Sequence, residues 1–415
     1  MNVNLETRGR QRRAWLRQAL ALGLALLGVA HIARDLPSRV VGNDFAHYYI
    51  SSRLLLSGAN LYSTPLEPEY ARWGFRYMVP IPTATNPPLL VAIFAPFALL
   101  PPVAAFWAWV LLEVVSLAVV LALSWRLLTD RLSVSARWLV CGIAIVSAPV
   151  YWHFFFSQCQ LLIAAIILFA YWCLRNKRPM IGCLAVTTAM WLKLFPLVLV
   201  PWFLWRSSRE WSVRWKCAGA LLAWSVVLVL GSGLGRWEQF WTQGIKAVEQ
   251  WILWQRHFNF TVPAFVKNMA WLSQGFDPQW SGLQPWAQAG AMIGGALILL
   301  AYGICWWGER GGKSADLESE FCLLSAVTLA GIAEAWGHYY VLLVFPVAVA
   351  AARIVQRPVS GWVATLGLSL IMLNLMGDWR SPWLEFAVSY LPLYGLLLLG
   401  AFFVAETTRS VPRSP

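Results

Sequence analysis

Met180–Trp205 reads MIGCLAVTTAMWLKLFPLVLVPWFLW, an apolar run with Lys193 and Pro196 at its middle. If the run crossed a bilayer once, the Lys193 ammonium would lie near the hydrocarbon centre. A charge there costs about 3 kcal/mol on insertion scales and more on an isolated helix. Two short helices folded into a hairpin, with Lys193 at the tip, avoid that cost. The choice decides on which side of a membrane every later loop lies, so it sets the topology of the C-terminal half.

The surrounding chain has the composition of a membrane protein. Of 415 residues, 59% are hydrophobic and only 12% charged, and the mean hydropathy is +0.59. A soluble domain is nearer half apolar and a quarter charged. Apolar runs recur to the C-terminus with no soluble block between them. This predicts an all-α polytopic membrane protein, a single integral-membrane domain over residues 1–415 with no internal repeat. The first run, Trp15–Ala33, follows Arg8, Arg10, Arg12, Arg13 and Arg17. It reaches the ~20 residues that span a bilayer and shows no small-residue cleavage site, so it reads as a retained signal-anchor. The run 88–100 is bounded by Pro87-Pro88 and Pro101-Pro102. It is short for a crossing and reads as a re-entrant or half-buried helix.

With these two choices the chain holds about 12 transmembrane helices, and the distribution of basic residues agrees. Arg126, Arg131 and Arg137, then Arg175, Lys177 and Arg178, then Arg206, Arg209, Arg214 and Lys216 fall in turns on one side. Arg310 with Lys313, Arg353 with Arg357, and Arg409 with Arg413 join them. By the positive-inside rule that side is cytoplasmic, as are both termini. The net charge of +13 is thus spread over short loops and suits topology and anionic lipid, not nucleic acid. Two long non-cytoplasmic loops remain, 35–87 and 235–285. Asp44, His47, Asn86, Lys193, Arg256, His257, Asn259, His338, Asp378 and Arg380 all fall on their side. Polar groups gathered at one face of such a protein mark a site by default.

Each candidate also has a plainer reading. Asn43 or Asp44 would cap an amphipathic interfacial helix running through His47 to Leu56, with Phe45, Tyr49 and Leu56 towards lipid. Asp44 also has the chemistry of a general base, and His47 lies three residues on, near the same face. Asn86-Pro87-Pro88 punctuates a helix start, or offers an amide to a sugar hydroxyl. Lys193 snorkels to headgroups, or meets a lipid-linked phosphate. Arg256, His257 and Asn259 sit in the second long loop among aromatic residues. His338 opens an apolar run from an uncharged turn, and Asp378 and Arg380 would pair with each other. The cysteines Cys141, Cys159, Cys173, Cys183, Cys217, Cys305 and Cys322 lie in or beside apolar runs and read as small hydrophobes. No H-x-x-x-H, D-x-D, P-loop, G-x-G-x-x-G or G-x-S-x-G is present; Glu67 and Glu69 form a weak hard-cation pair. No metal and no cofactor is expected.

Several blocks in order resemble glycosyltransferase family 87. Asp44-Phe45 with Tyr48-Tyr49, then Leu55 through Tyr62, resembles its opening "DF-x-x-YY…LL-x-G-x-x-x-Y". Asn86-Pro87-Pro88 through Pro101 resembles "YPP…P…LP", with asparagine in place of tyrosine. Gln160-Leu161-Leu162 resembles part of "GQ-x-N-LL", with Cys159 interrupting it. Leu192-Lys193 through Pro196 resembles "LK-x-x-P", and His338-Tyr339-Tyr340 resembles "HYY". The resemblance implies a GT-C-type fold with interfacial and re-entrant helices in the non-cytoplasmic loops. It implies inverting transfer of a sugar, mannose being the expected one, from a polyprenyl-phosphate donor to a lipid or glycan acceptor. The active site would be extracytoplasmic in the inner or plasma membrane. Asp44 would be general base, and His338 and Lys193, with Arg256 or His257 as helpers, would neutralise the leaving phosphate. A transporter or flippase for a lipid-linked sugar, or a glycan ligase, would use a similar face. A transporter would sooner bury its ionisable groups at mid-membrane within repeats.

Overall fold

The computed structural model describes residues 2–40, 43–76, 82–254, 259–277, 282–310, 316–356 and 382–408, and among these it is helical with no strand. The first half holds α1 (Asn2–Asp35), α2 (Asn43–Leu56), α3 (Glu67–Arg72), α4 (Pro88–Ala98) and α5 (Pro102–Leu127). Then come α6 (Val134–Val146), α7 (Ala148–Phe156), α8 (Gln160–Arg175), α9 (Pro179–Leu192) and α10 (Val200–Arg206). α11 (Trp211–Ser232), α12 (Leu234–Gln239), α13 (Ile245–Trp254) and α14 (Val262–Ser273) follow. The chain closes with α15 (Leu283–Arg310), α16 (Leu317–Gly331), α17 (Val344–Gln356), α18 (Pro382–Ser389) and α19 (Leu391–Thr408).

Proline sets many of these boundaries. Pro87 and Pro101 are extended, with ψ 146° and 148°, and each is followed by a proline opening the next helix, where a missing N–H costs nothing. Side chains cap others: Ser133 accepts from Ala136 N–H, and Thr261 from Ala264 N–H. α9 stops at Lys193, whose backbone is extended. A 3-10 turn, Phe195–Leu199, then leads into α10, which packs back against α9. The hairpin reading of residues 180–205 therefore stands, with Lys193 at its bend. The helix α4, of 11 residues, is likewise as short as the sequence requires.

The crossing count differs from expectation. Six segments among the described residues are long and apolar enough to span: Gln11–Arg39, α5, α11, Leu283–Gly308, Gly337–Ile354 and α19. The pair α6 and α7, bent by 43°, would make a seventh. Four other apolar stretches fold as helices of 10–17 residues, because prolines and polar residues break them before they reach hydrocarbon length. The run 361–376, with Asp378 and Arg380 just beyond it, lies outside the described residues.

The helix α2 departs from expectation more sharply. Phe45 and Tyr49 do not face lipid; both are fully buried, while Leu56 is exposed. Phe45 is ringed by Phe75, Phe94 and Phe106, with centroids 6.0, 5.8 and 5.1 Å away. Three edge-to-face partners hold α2 against α4 and α5 more firmly than the headgroup layer could.

α1 packs on α6 at glycines. A Cβ on Gly142 would meet the Ala21 carbonyl at 2.5 Å, and one on Gly28 the Ile145 carbonyl at 2.7 Å. At the start of α16 the arginines read as loop signals form a buried ion-pair cluster. Glu318 is held by Arg131 at 3.1 Å and Arg353 at 3.3 Å, with Arg175 at 3.7 Å. Arg353 also meets Asp316 and Glu406, while Arg206 pairs with Glu320 at 2.6 Å. Glu318, Glu320, Arg206 and Arg353 are taken out of water, so each requires a partner, while Arg131 and Arg175 stay partly exposed. By helical rise, Glu318 lies roughly 20 Å from the other end of α16. That far end opens on the cavity described next.

Candidate functional site

A cavity of about 470 Å³ is lined by α2, the loop before α4, the end of α7, the α9–α10 hairpin, α13, and the loop after α16. Helical spacing puts Asp44, His47 and Tyr48 at i, i+3 and i+4, so α2 presents all three to the same space. Much of the remaining lining is apolar. Ile245, Val248 and Ile252 recur on one face of α13 and continue into Leu194, Leu197 and Val198 of the hairpin. The lining thus offers apolar surface that suits a hydrocarbon chain and polar groups that suit a polar head.

Asp44 accepts a hydrogen bond from Gln158 Nε2. Burial raises its carboxyl from the ordinary value to about 6, opposed by the Lys193 ammonium and the Gln158 amide and reinforced by Glu334. A carboxyl so placed is ionised at neutral pH yet basic enough to take a proton. His47 accepts from the Thr85 backbone N–H at 3.3 Å. Burial, with Lys193 adding to it, lowers this imidazole to about 4, so it is neutral at physiological pH and works as an acceptor. Lys193 Nζ donates to the Tyr339 hydroxyl at 3.0 Å and lies 4.9 Å from its ring centroid. His338 is buried with its Nδ1 unpartnered. Its ring sits against Phe156, Trp336 and Tyr339. Asn86 lines the cavity, and its carbonyl accepts from the Tyr62 hydroxyl at 2.8 Å.

Five of the residues singled out from sequence, Asp44, His47, Asn86, Lys193 and His338, therefore meet around one space, though they span nearly 300 positions of the chain. Asn259 does not line it. Its amide donates to Ala333 O and accepts from Ala335 N–H, which fastens the loop that carries Glu334. Arg256 and His257 lie outside the described residues. Sequence reading missed Gln158, Glu334, Thr85 and Tyr339. The glutamine block drew attention to Gln160, but Gln160 is fully buried at the start of α8 and Gln158 is the one that reaches the cavity. The usable signal was that Gln158 closes a short loop free of Lys and Arg. Asp44 and Glu334 are the cavity's carboxylates, and no three His, Cys, Asp or Glu side chains converge as metal ligands among the described residues.

The family model for glycosyltransferase family 87 matches residues 84–333. The matched span includes Asn86, Gln158 and Lys193; Asp44 and His47 precede it and His338 follows it. No curated protein matches the chain.

Proposed function

The chain belongs to glycosyltransferase family 87, a family of membrane glycosyltransferases, and on that premise we propose that it moves a sugar, mannose in the first instance, from a polyprenyl phosphate to a hydroxyl of a lipid or glycan acceptor. The observation that carries the proposal is the cavity's mixed lining. A carboxylate with its pKa near 6, an ammonium and an unpartnered imidazole nitrogen line the same cavity as the apolar side chains of α13 and the hairpin. A lipid-linked sugar phosphate is an amphipathic molecule that such a lining suits. The positive-inside pattern favours an extracytoplasmic face, as the sequence implied.

In the proposed step the acceptor O–H gives its proton to Asp44 while its oxygen attacks the sugar's anomeric carbon. The bond from that carbon to the phosphate oxygen breaks on the opposite side, its electron pair leaving with the polyprenyl phosphate. The anomeric configuration inverts. Negative charge on the leaving phosphate grows through the step, and Lys193 with an N–H of His338 stabilises it there. Tyr339 holds Lys193 in place meanwhile. Lys193, at the bend of a hairpin beside the apolar lining, meets the phosphate where its hydrocarbon tail begins.

The test uses the full chain in liposomes with a total membrane-lipid extract as acceptor. Radiolabelled polyprenyl-phosphate mannose should yield a labelled product, and Lys193→Ala should raise the donor KM at least about tenfold. Transfer from a nucleotide sugar alone would overturn the donor assignment. Transfer of a whole glycan from a lipid diphosphate would point to a ligase. Movement of labelled donor across the bilayer without a product would point to a transporter.

A further inference from the structure

Gln158 reaches the cavity because the chain turns sharply after α7. Ser157 closes that helix with φ 54° and ψ 47°, a left-handed conformation that non-glycine residues seldom adopt. The turn is fixed by Ser157 N–H to Phe154 O and Gln158 N–H to His153 O, both 3.1 Å. Trp109 Nε1 adds a bond to the Ser157 carbonyl at 3.3 Å. The Gln158 side chain then crosses to α2 and is buried there, as is Tyr48. Its two ends have different partners: Oε1 accepts from the Tyr48 hydroxyl at 2.8 Å, and Nε2 donates to Asp44 Oδ2.

We propose that Gln158 is a positioning residue for the transfer: Tyr48 holds the oxygen end of its amide, and the amide N–H ties down one oxygen of Asp44 so that the other is presented to the acceptor hydroxyl. The inference rests on Asp44 being the base. The Tyr48 hydroxyl can donate or accept and also reaches Cys159 Sγ at 3.6 Å, so it is the ionised Asp44, an acceptor only, that selects the NH2 end and leaves Oε1 to Tyr48. Were the amide turned over, its oxygen would face a carboxylate oxygen, lone pair against lone pair. A donor on a carboxylate also favours the ionised form, the one able to take a proton. Lys193 from the hairpin acts in the same sense, Glu334 from the loop after α16 acts against it, and Gln158 supplies the hydrogen bond. His47, on the same helix, is neutral and is occupied by Thr85.

The pH dependence of kcat and the acceptor KM would be measured in liposomes for wild type, Gln158→Ala, Gln158→Glu and Tyr48→Phe, each checked for its melting temperature. Gln158→Ala should lower kcat about 10- to 100-fold at pH 7.5 with KM within about twofold, and move the acid limb up by about one pH unit. Gln158→Glu, nearly isosteric, should move it further, because a second carboxylate faces Asp44. Tyr48→Phe should shift it the same way by less, and adding it to Gln158→Ala should cost little more, since the two act through one contact. An unmoved acid limb, or an effect confined to KM, would overturn the proposal. Infrared titration of the Asp44 carboxyl, taken as a difference against Asp44→Asn, reads the same contact without turnover. An upward shift in Gln158→Ala alongside a wild type that transfers nothing would leave the contact standing and remove the transferase reading. No shift in Gln158→Ala alongside a wild type that transfers would remove the positioning role alone.

Discussion

Asp44 is held in a state that costs stability. Its carboxyl is raised from 3.8 to about 6 by burial, so the fold favours the protonated form. The stabilisation from that preference is complete below the unfolded value near 4 and is lost as pH rises through about 6. At neutral pH, keeping the group charged costs on the order of 3 kcal/mol. Asp44→Asn should therefore raise the melting temperature in detergent at pH 7.5 by several degrees, and the gain should vanish near pH 4. A melting temperature equal to wild type at both pH values would show that the group is not desolvated. The same pKa predicts that kcat/KM falls as pH drops through about 6. Lys193→Ala should move that limb upward, since its ammonium opposes the effect of burial; Lys193→Arg should move it less. At this scale the sequence was informative where a polar residue broke an apolar run. Asp44, Lys193 and His338 stood out for that reason. Gln158 did not, because its role depends on a turn at Ser157 that a serine does not announce and on a tyrosine 110 positions away.

At the scale of the element, prolines and Lys193 within an apolar run made the short helices legible. Pro87-Pro88 and Pro101-Pro102 bracket α4, and Lys193 ends α9, as read. The face of α2 was not legible. Its aromatics suit an interfacial helix and a buried one equally, and what separates the two is the Phe45 cluster with Phe94 and Phe106, residues from other helices. Helix contact at glycine was equally hidden, since Gly28 and Gly142 give no sign of each other in one sequence. Gly142→Leu should force α1 off α6, because its Cβ alone would reach the Ala21 carbonyl at 2.5 Å. The expected cost is about 1–3 kcal/mol, seen as a lower melting temperature and faster proteolysis of the N-terminal arm. An unchanged protease pattern would contradict the packing of α1.

For the whole molecule, the two ends of α16 divide the work. One end anchors the fold through Glu318 and its arginines; the other opens on the cavity. Composition alone established the membrane class, but the crossing count depends on which apolar runs the prolines cut short. The ion pairs were hidden because arginines in short turns look the same whether they mark topology or are buried against acids. Glu318→Ala would remove the acid shared by Arg131, Arg175 and Arg353 while leaving Arg353 its pairs with Asp316 and Glu406, and should cost about 1–3 kcal/mol. Its acid limb of activity should stay near pH 6, because the site lies roughly 20 Å along the helix. A shifted limb would mean that the ends are electrostatically coupled. The most direct test of the whole account is single-turnover transfer from an anomerically defined polyprenyl-phosphate mannose, followed by NMR of the product, in wild type and Asp44→Asn. The account predicts a product of inverted anomeric configuration from the wild type and a rate at least about 10³-fold lower in the mutant. Retained configuration, or an Asp44→Asn enzyme as fast as wild type, would contradict it.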